Sequence, residues 1–456
     1  MRIATTLLGA GGLALSLLAT SVMAQSLTQS EINKLGNELT PVGAEKAGNA
    51  SGTIPEWTGG LATNAGKQLE RNFWENPYEG EQAEFVITAQ NYQEHREKLT
   101  AGQIAMFERY PDTFKMPVYQ THRSVGYPQE IYDQIKENAG QARLVNNGDG
   151  IENFTHGSFA FPIPKVGGEV IWNYLTRYRK NVQREYAQAM PQTNGAYTLI
   201  KFQEDVAYPQ YMPDVNLKDA ANVLVYFKQR VNAPSRLAGN VLLVHDTLDQ
   251  LKEPRMAWVY NAGQRRVRRA PQVAYDGPGT ASDGMRTTDN FSMFSGAPDR
   301  YDWKLVGKKE VYIPYNSYKI SDPRLKYSDI LQAGHINPEH TRFELHRVWE
   351  VEGTVKQGQR HIYAKRNFFF DEDSWLLALA DHYDSRGTLW RVGEGHVSHA
   401  YGEQLPGFGI ETLYDLLAGR YIALGMYNEE SSAPKFDYTP SYREFTPAAL
   451  RSSGVR

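Results

Sequence analysis

The chain has 456 residues, with 49 Lys and Arg against 52 Asp and Glu, and no cysteine. A net charge of −3 excludes a general nucleic-acid binder, which would be basic. The absence of cysteine excludes disulfides, thiolate metal sites, cysteine nucleophiles and a lipid-modified N-terminal cysteine.

Arg2, the apolar run from Leu7 to Leu18, and Val22, Met23 and Ala24 before Gln25 read as a cleavable export signal. Residues 1–24 are therefore expected to be removed after Ala24. The alternative is an uncleaved membrane anchor, against which the run is short and glycine-rich; no later apolar run is long enough for a membrane span. The mature protein is expected in a bacterial periplasm, neither lipoprotein nor integral membrane protein.

Residues 25–158 read as a helical and loop-rich region. Thr28 and Glu31 form a capping pattern before Ile32, Leu35 and Leu39. A turn-rich loop over residues 40–60 holds Trp57 as an anchor. Helical spacing runs over Thr88–Arg109 and again over Pro128–Asn138. Asn146 to Gly150 is a turn, since it lacks the ligand ladder and closing Glu of a calcium loop.

Residues 159–427 read as a β-rich domain. A short helix is expected over Glu169–Tyr178. Strands are expected at Ala196–Glu204, Val223–Gln229, Asn240–His245, Met256–Tyr260, Arg265–Arg269, Trp303–Pro314, Thr341–Val355, His361–Asp371, Leu376–Asp384 and Thr388–Glu394. Asn261, Ala262 and Gly263 turn the hairpin between Met256–Tyr260 and Arg265–Arg269. A helix is expected over Ile410–Ile422, with Leu413, Tyr414, Leu417 and Tyr421 at helical steps. The tail, 428–456, is polar and proline-bearing, an ordered arm or a mobile end. Repeated hairpins without long helices between them predict an α+β fold, a large curved antiparallel sheet covered by helices. Aromatics at 12 %, led by 28 Tyr, suit such a sheet.

Catalytic motifs are missing: there is no Gly-x-Ser-x-Gly elbow, phosphate loop, dinucleotide fingerprint or His-Glu-x-x-His. His335, His340, His346 and His361 read as isolated surface or hydrogen-bonded histidines rather than a metal site. His245 with Asp246, and His382 with Asp381 and Asp384, read as capping and turn chemistry. Arg265, Arg266, Arg268 and Arg269 read as a solvated edge, with an anionic partner as the alternative. A curved sheet can also enclose an apolar cavity. Val223, Val225, Phe227, Trp258, Tyr260, Phe291, Phe294, Phe368 and Phe370 are its candidate lining, each with ordinary core as the alternative.

Several segments carry a resemblance: Leu39–Gly60, Pro117–Arg123, Phe161–Pro164 with Ile171 to Asn173, Arg177 to Arg179, Ala257–Pro271, Ala281–Asp289 and Asp299–Asn316. In these the chain resembles the DUF1329 family of exported bacterial proteins. That resemblance implies a half-barrel like those of the periplasmic lipoprotein carriers and outer-membrane lipoprotein receptors (LolA and LolB), with helices closing an apolar cavity. It implies traffic of a hydrophobic small molecule or lipid, with an RND-type (MMPL-like) transporter and a DUF1302-type outer-membrane protein as expected partners. It brings no cofactor and no catalytic residues. The leading expectation is a non-enzymatic carrier or chaperone. A membrane-to-membrane adaptor and an ester hydrolase are the alternatives.

Overall fold

The computed structural model describes residues 27–454; the signal expected at residues 1–24 lies outside them. The chain begins with short elements. In α1 (Gln29–Ile32), the Thr28 hydroxyl accepts from the Glu31 N–H and the Glu31 carboxylate accepts from the Thr28 N–H. β1 (Phe85–Ile87), α2 (Ala101–Arg109), β2 (Met116–Val118) and α3 (Gln129–Gln141) follow, then a small hairpin of β3 (Arg143–Val145) and β4 (Gly150–Glu152). The helix expected over Thr88–Arg109 is divided. A 3-10 segment covers Tyr92–Lys98, and Thr100 starts α2 afresh by capping with Gln103. β1 pairs with β2, and Val118 sits beside Phe343, so this region is built into the main sheet.

After α4 (Gly167–Thr176) the chain makes two antiparallel meanders. The first is β5 (Val182–Ala189), β6 (Ile200–Ala207), β7 (Val223–Ala233), β8 (Val241–Thr247), β9 (Met256–Asn261) and β10 (Arg266–Arg269). The second is β11 (Tyr301–Pro314), β12 (Phe343–Val355), β13 (Lys365–Asp371), β14 (Leu377–Tyr383), β15 (Leu389–Ala400), β16 (Leu405–Asp415) and β17 (Arg420–Met426), with α5 (Tyr327–Ile330) between β11 and β12. Sequence neighbours within each meander pair side by side. β17 pairs with β5 and fuses the meanders, so with β1 and β2 the sheet has 15 strands. Among the described residues β10 and β11 do not pair, and the sheet is open.

The helix expected over Ile410–Ile422 is instead a hairpin of β16 and β17. Gly419, at φ 64°, helps to turn it, and Leu417, expected on an apolar helix face, is 59 % exposed. Both faces of these strands are buried, which erases the polar–apolar alternation that identifies a strand.

α4 lies on β11 and β12, its Tyr174 ring 5.6 Å from Phe370. Ile171, Trp172 and Tyr174 join Val351, Phe368, Phe370 and Leu377 in one filled core, where burial of each large apolar side chain stabilises by about 1.5–3 kcal/mol. α2 packs against β14 and β15, with Met106 and Phe107 in a second core. The tail is an ordered arm. A 3-10 turn at Tyr442–Phe445 and α6 (Ala449–Gly454) bury Phe445 and Leu450 completely against the first meander.

Candidate functional site

The first meander sends alternate side chains to opposite faces. Tyr226, Leu243 and Tyr260 point to the face sealed by the C-terminal arm. Val182, Val206, Val225, Phe227, Leu242 and Val244 point the other way, onto a cavity of about 270 Å³. Over that cavity runs the connection from β10 to β11, a strap of residues 270–300 that returns the chain from one sheet edge to the other. Val273, Pro278, Gly279, Thr280, Phe291 and Ser292 of the strap face the cavity, and Leu405, Phe408, Pro434 and Phe436 complete its apolar wall.

Polar anchors hold the strap. Asp289 accepts from Arg366 at 2.7 Å and pairs with His361 at 3.0 Å. Gln188 donates to the Ala281 carbonyl at 2.7 Å, Tyr174 donates to the Ser292 carbonyl, and the Met293 N–H donates to Glu411 at 2.6 Å. Between these anchors Ser292 and Met293 both lie at positive φ, 53° and 60°, conformations that cost side-chain-bearing residues energy and persist only where the surroundings enforce them.

The wall is also charged. Arg177, Arg179 and Lys180 follow α4, Arg184 stands on β5, Arg255 precedes β9 and Arg286 lies on the strap, facing the carboxylates of Glu204, Asp246 and Glu411. Arg184 pairs with Glu204 at 2.7 Å and Arg255 with Asp246 at 2.5 Å. Burial pushes the Glu411 carboxyl up to about 7, against the pull of Arg184, the Met293 N–H, Arg286 and Arg177. Burial, with Arg179 nearby, pushes Arg177 down to about 10.

Of the nine residues expected to line a cavity, Val225, Phe227 and Phe291 do so, the two rings 5.3 Å apart. Trp258 and Tyr260 instead face the arm; on β9 the residues on the cavity side are Ala257 and Val259. The phase of the alternation was off by one residue, because the arm gives the outer face a second apolar layer. Val223 also faces the arm, since a bulge between Val223 and Val225 reverses its side. Phe294, Phe368 and Phe370 are in the filled core. Arg266, Arg268 and Arg269 are exposed on β10, an edge strand, and Arg265 sits in the preceding turn at φ 52°. Arg269 lies 5.9 Å from the Trp258 ring. Sequence reasoning missed the arginines of the cavity. Arg177, Arg179 and Arg286 fall in irregular stretches, where a lone arginine reads as solvated.

Two of the other histidines have partners of their own, whereas the buried Nδ1 of His340 finds none among the described residues. His245 donates to the Phe445 carbonyl at 2.6 Å, and His335 donates to the Ile336 carbonyl at 2.7 Å. His346, Asp371 and Asp373 bring potential ligand atoms within 4.8 Å of one another. Asp373, however, is clasped by Arg123 at 2.6 and 2.8 Å. Burial opposes charge on His346, but Asp371 and Glu344 prevail and raise it to about 9. The imidazole ring of His346 lies 3.3 Å from Glu344 and 3.4 Å from Asp371, an ion-pair network when it is protonated.

The family profile described as "Protein of unknown function (DUF1329)" matches residues 86–451. The uncharacterized protein PA3922 of Pseudomonas aeruginosa is 61 % identical over 457 residues, covering all of both chains. Among solved structures, a DUF1329 family protein of Desulfovibrio piger is 15 % identical with a TM-score of 0.41, over 59 % of this chain and 91 % of that one. The LolA superfamily protein NE2245 of Nitrosomonas europaea is 13 % identical with a TM-score of 0.37, over 62 % and 98 %.

Proposed function

The chain belongs to the DUF1329 family, and from that premise we propose that it is a periplasmic carrier or chaperone for a hydrophobic ligand, held in the cavity of the first meander. The observation that supports this is the cavity itself: about 270 Å³ walled by Val182, Val206, Val225, Phe227, Leu242 and Val244. Burying each methylene of a ligand there is worth about 0.8 kcal/mol, so binding and release need no covalent step. Export and a transporter partner of the RND type belong to the same reading. They rest on the N-terminal segment and on the family resemblance.

The open cavity favours a carrier over an adaptor that holds nothing. Among the described wall residues no histidine stands beside Ser292 or Ser295, so the wall lends no support to a serine–histidine ester hydrolase. The test is a binding series with the mature protein and straight-chain alcohols of increasing length. Affinity should rise about fourfold per added methylene until the cavity is full. Absence of binding across alcohols, sterols and lipids refutes the proposal.

A further inference from the structure

Three guanidinium groups on the cavity wall have no ionic partner among the described residues. Lys180 pairs with Glu403 at 2.7 Å, Arg184 with Glu204 and Arg255 with Asp246. Arg177, Arg179 and Arg286 make no such pair. Arg177 donates to the Tyr174 carbonyl at 2.5 Å and to the Ser292 hydroxyl at 3.1 Å. Arg179 donates to the Leu175 carbonyl, and Arg286 to the Thr287 carbonyl at 3.3 Å. The acceptors at the end of α4 carry only the partial charge of a helix terminus. The Nε groups of Arg179 and Arg286 are buried and find no acceptor.

The charge count agrees. The wall carries six cationic side chains and three carboxylates, a difference of three positive charges, in a chain whose net charge is −3. Two of the three carboxylates are committed to Arg184 and Arg255. Only Glu411 is left, and the Met293 N–H occupies part of it. Taking guanidinium out of water without a counter-charge is costly. These groups are nevertheless fixed in place. The guanidinium of Arg177 stacks 3.9 Å from the Tyr174 ring centre, and that of Arg286 lies 5.4 Å from Phe291. Gly279 makes room for Arg286, because a Cβ there would come 2.5 Å from its Nη1. Rings and carbonyls orient the cations, and Glu411 is the one carboxylate of the wall left to set against the three of them.

We propose that the cavity takes an anionic amphiphile. A carboxylate or phosphate head is gripped by Arg177, Arg179 and Arg286, and an apolar tail lies along Val225, Phe227 and Val244. The head joins the end of α4 to the strap, so an occupied cavity holds both. This deepens the carrier reading and rests on it.

The test compares probes of one tail length on the mature protein by calorimetry: dodecanoate, dodecyl phosphate, dodecanol and dodecyltrimethylammonium, with inorganic phosphate as the tail-free control. The acid and phosphate heads should bind at least tenfold tighter than the alcohol, and the ammonium weakest. Inorganic phosphate should bind at least a hundredfold weaker than dodecyl phosphate. Arg177→Gln and Arg286→Gln should each abolish the preference for anions while still binding dodecanol, which also shows that the variant is folded. Equal binding of dodecanol and dodecanoate by the unaltered protein, or preference for the ammonium, overturns the anionic head and leaves the carrier standing. Phosphate binding as tightly as dodecyl phosphate overturns the tail. Failure of every tailed probe overturns the carrier reading itself.

Discussion

The second meander sets Val351, Phe368, Phe370 and Leu377 against α4, whereas the first sets Val225, Phe227, Leu242 and Val244 against a space. Both follow the same period of two, and both expose an apolar face. The difference is in what crosses that face. α4 is a ten-residue helix with Val170, Ile171, Trp172, Tyr174 and Leu175 buried, enough side chain to fill the pleat. The strap of residues 270–300 crosses the other half. Much of its anchorage is polar and made through its backbone, so it roofs the sheet without filling it. A hollow half therefore depends on how the covering segment is attached, as well as on which residues line the sheet.

Substitutions test this difference most strongly in the filled half. Phe370→Ala should cost about 3–5 kcal/mol in urea unfolding, because it removes a ring from a close-packed core. Phe227→Ala should cost about 1 kcal/mol. Equal losses would mean that the first meander is packed as tightly as the second.

The halves also differ in their response to pH. His346, in the filled half, is raised from 6.5 to about 9, so its contribution is complete below pH 6.5 and is lost as pH rises through 9. Glu411, in the hollow half, is raised from 4.5 to about 7, so its contribution is complete below pH 4.5 and is lost as pH rises through 7. Each amounts to at most about 3 kcal/mol. His346→Gln should flatten stability between pH 6.5 and 9. Glu411→Gln should remove part of the slope between 4.5 and 7, a window shared with Asp381, whose burial also raises it to about 7. Unfolding free energies measured across both windows, with slopes unchanged in the variants, would contradict the assignment.

Enlarging side chains should separate the halves more gently. Val351→Phe should cost about 1–3 kcal/mol by overpacking. Val225→Phe should leave the melting temperature nearly unchanged and weaken ligand binding, read by calorimetry. The smallest effect is expected at the sheet edge. Arg266→Glu with Arg268→Glu should stay within about 0.5 kcal/mol and leave binding of apolar probes intact.

The strands flanked by clear turns were legible. Asn261 to Gly263 marked the β9–β10 hairpin, and β11 to β15 stood close to where alternation and turn residues put them. The seam was not legible: β5 was not anticipated, and β16 with β17 read as a helix. Strands buried on both faces lose the alternation that marks a strand. The cavity was legible at Val225, Phe227 and Phe291 and illegible in phase at Trp258 and Tyr260. The decisive information there, an arm more than 170 residues further along covering the outer face, is tertiary.

The seam also bears on how the chain reaches this state. β5 meets its outer neighbour only when β17, near the other end of the chain, has arrived, and the outer face of β7 to β9 waits for Phe445 and Leu450. Such contacts between distant parts of the sequence must close long loops before they stabilise anything, which slows folding. A chain halted before β16 would hold β5 as an unpaired edge beside an uncovered apolar face, the surface that recruits other chains into aggregates. The ligand chamber is thus among the last features to be completed, although most of its wall is made first.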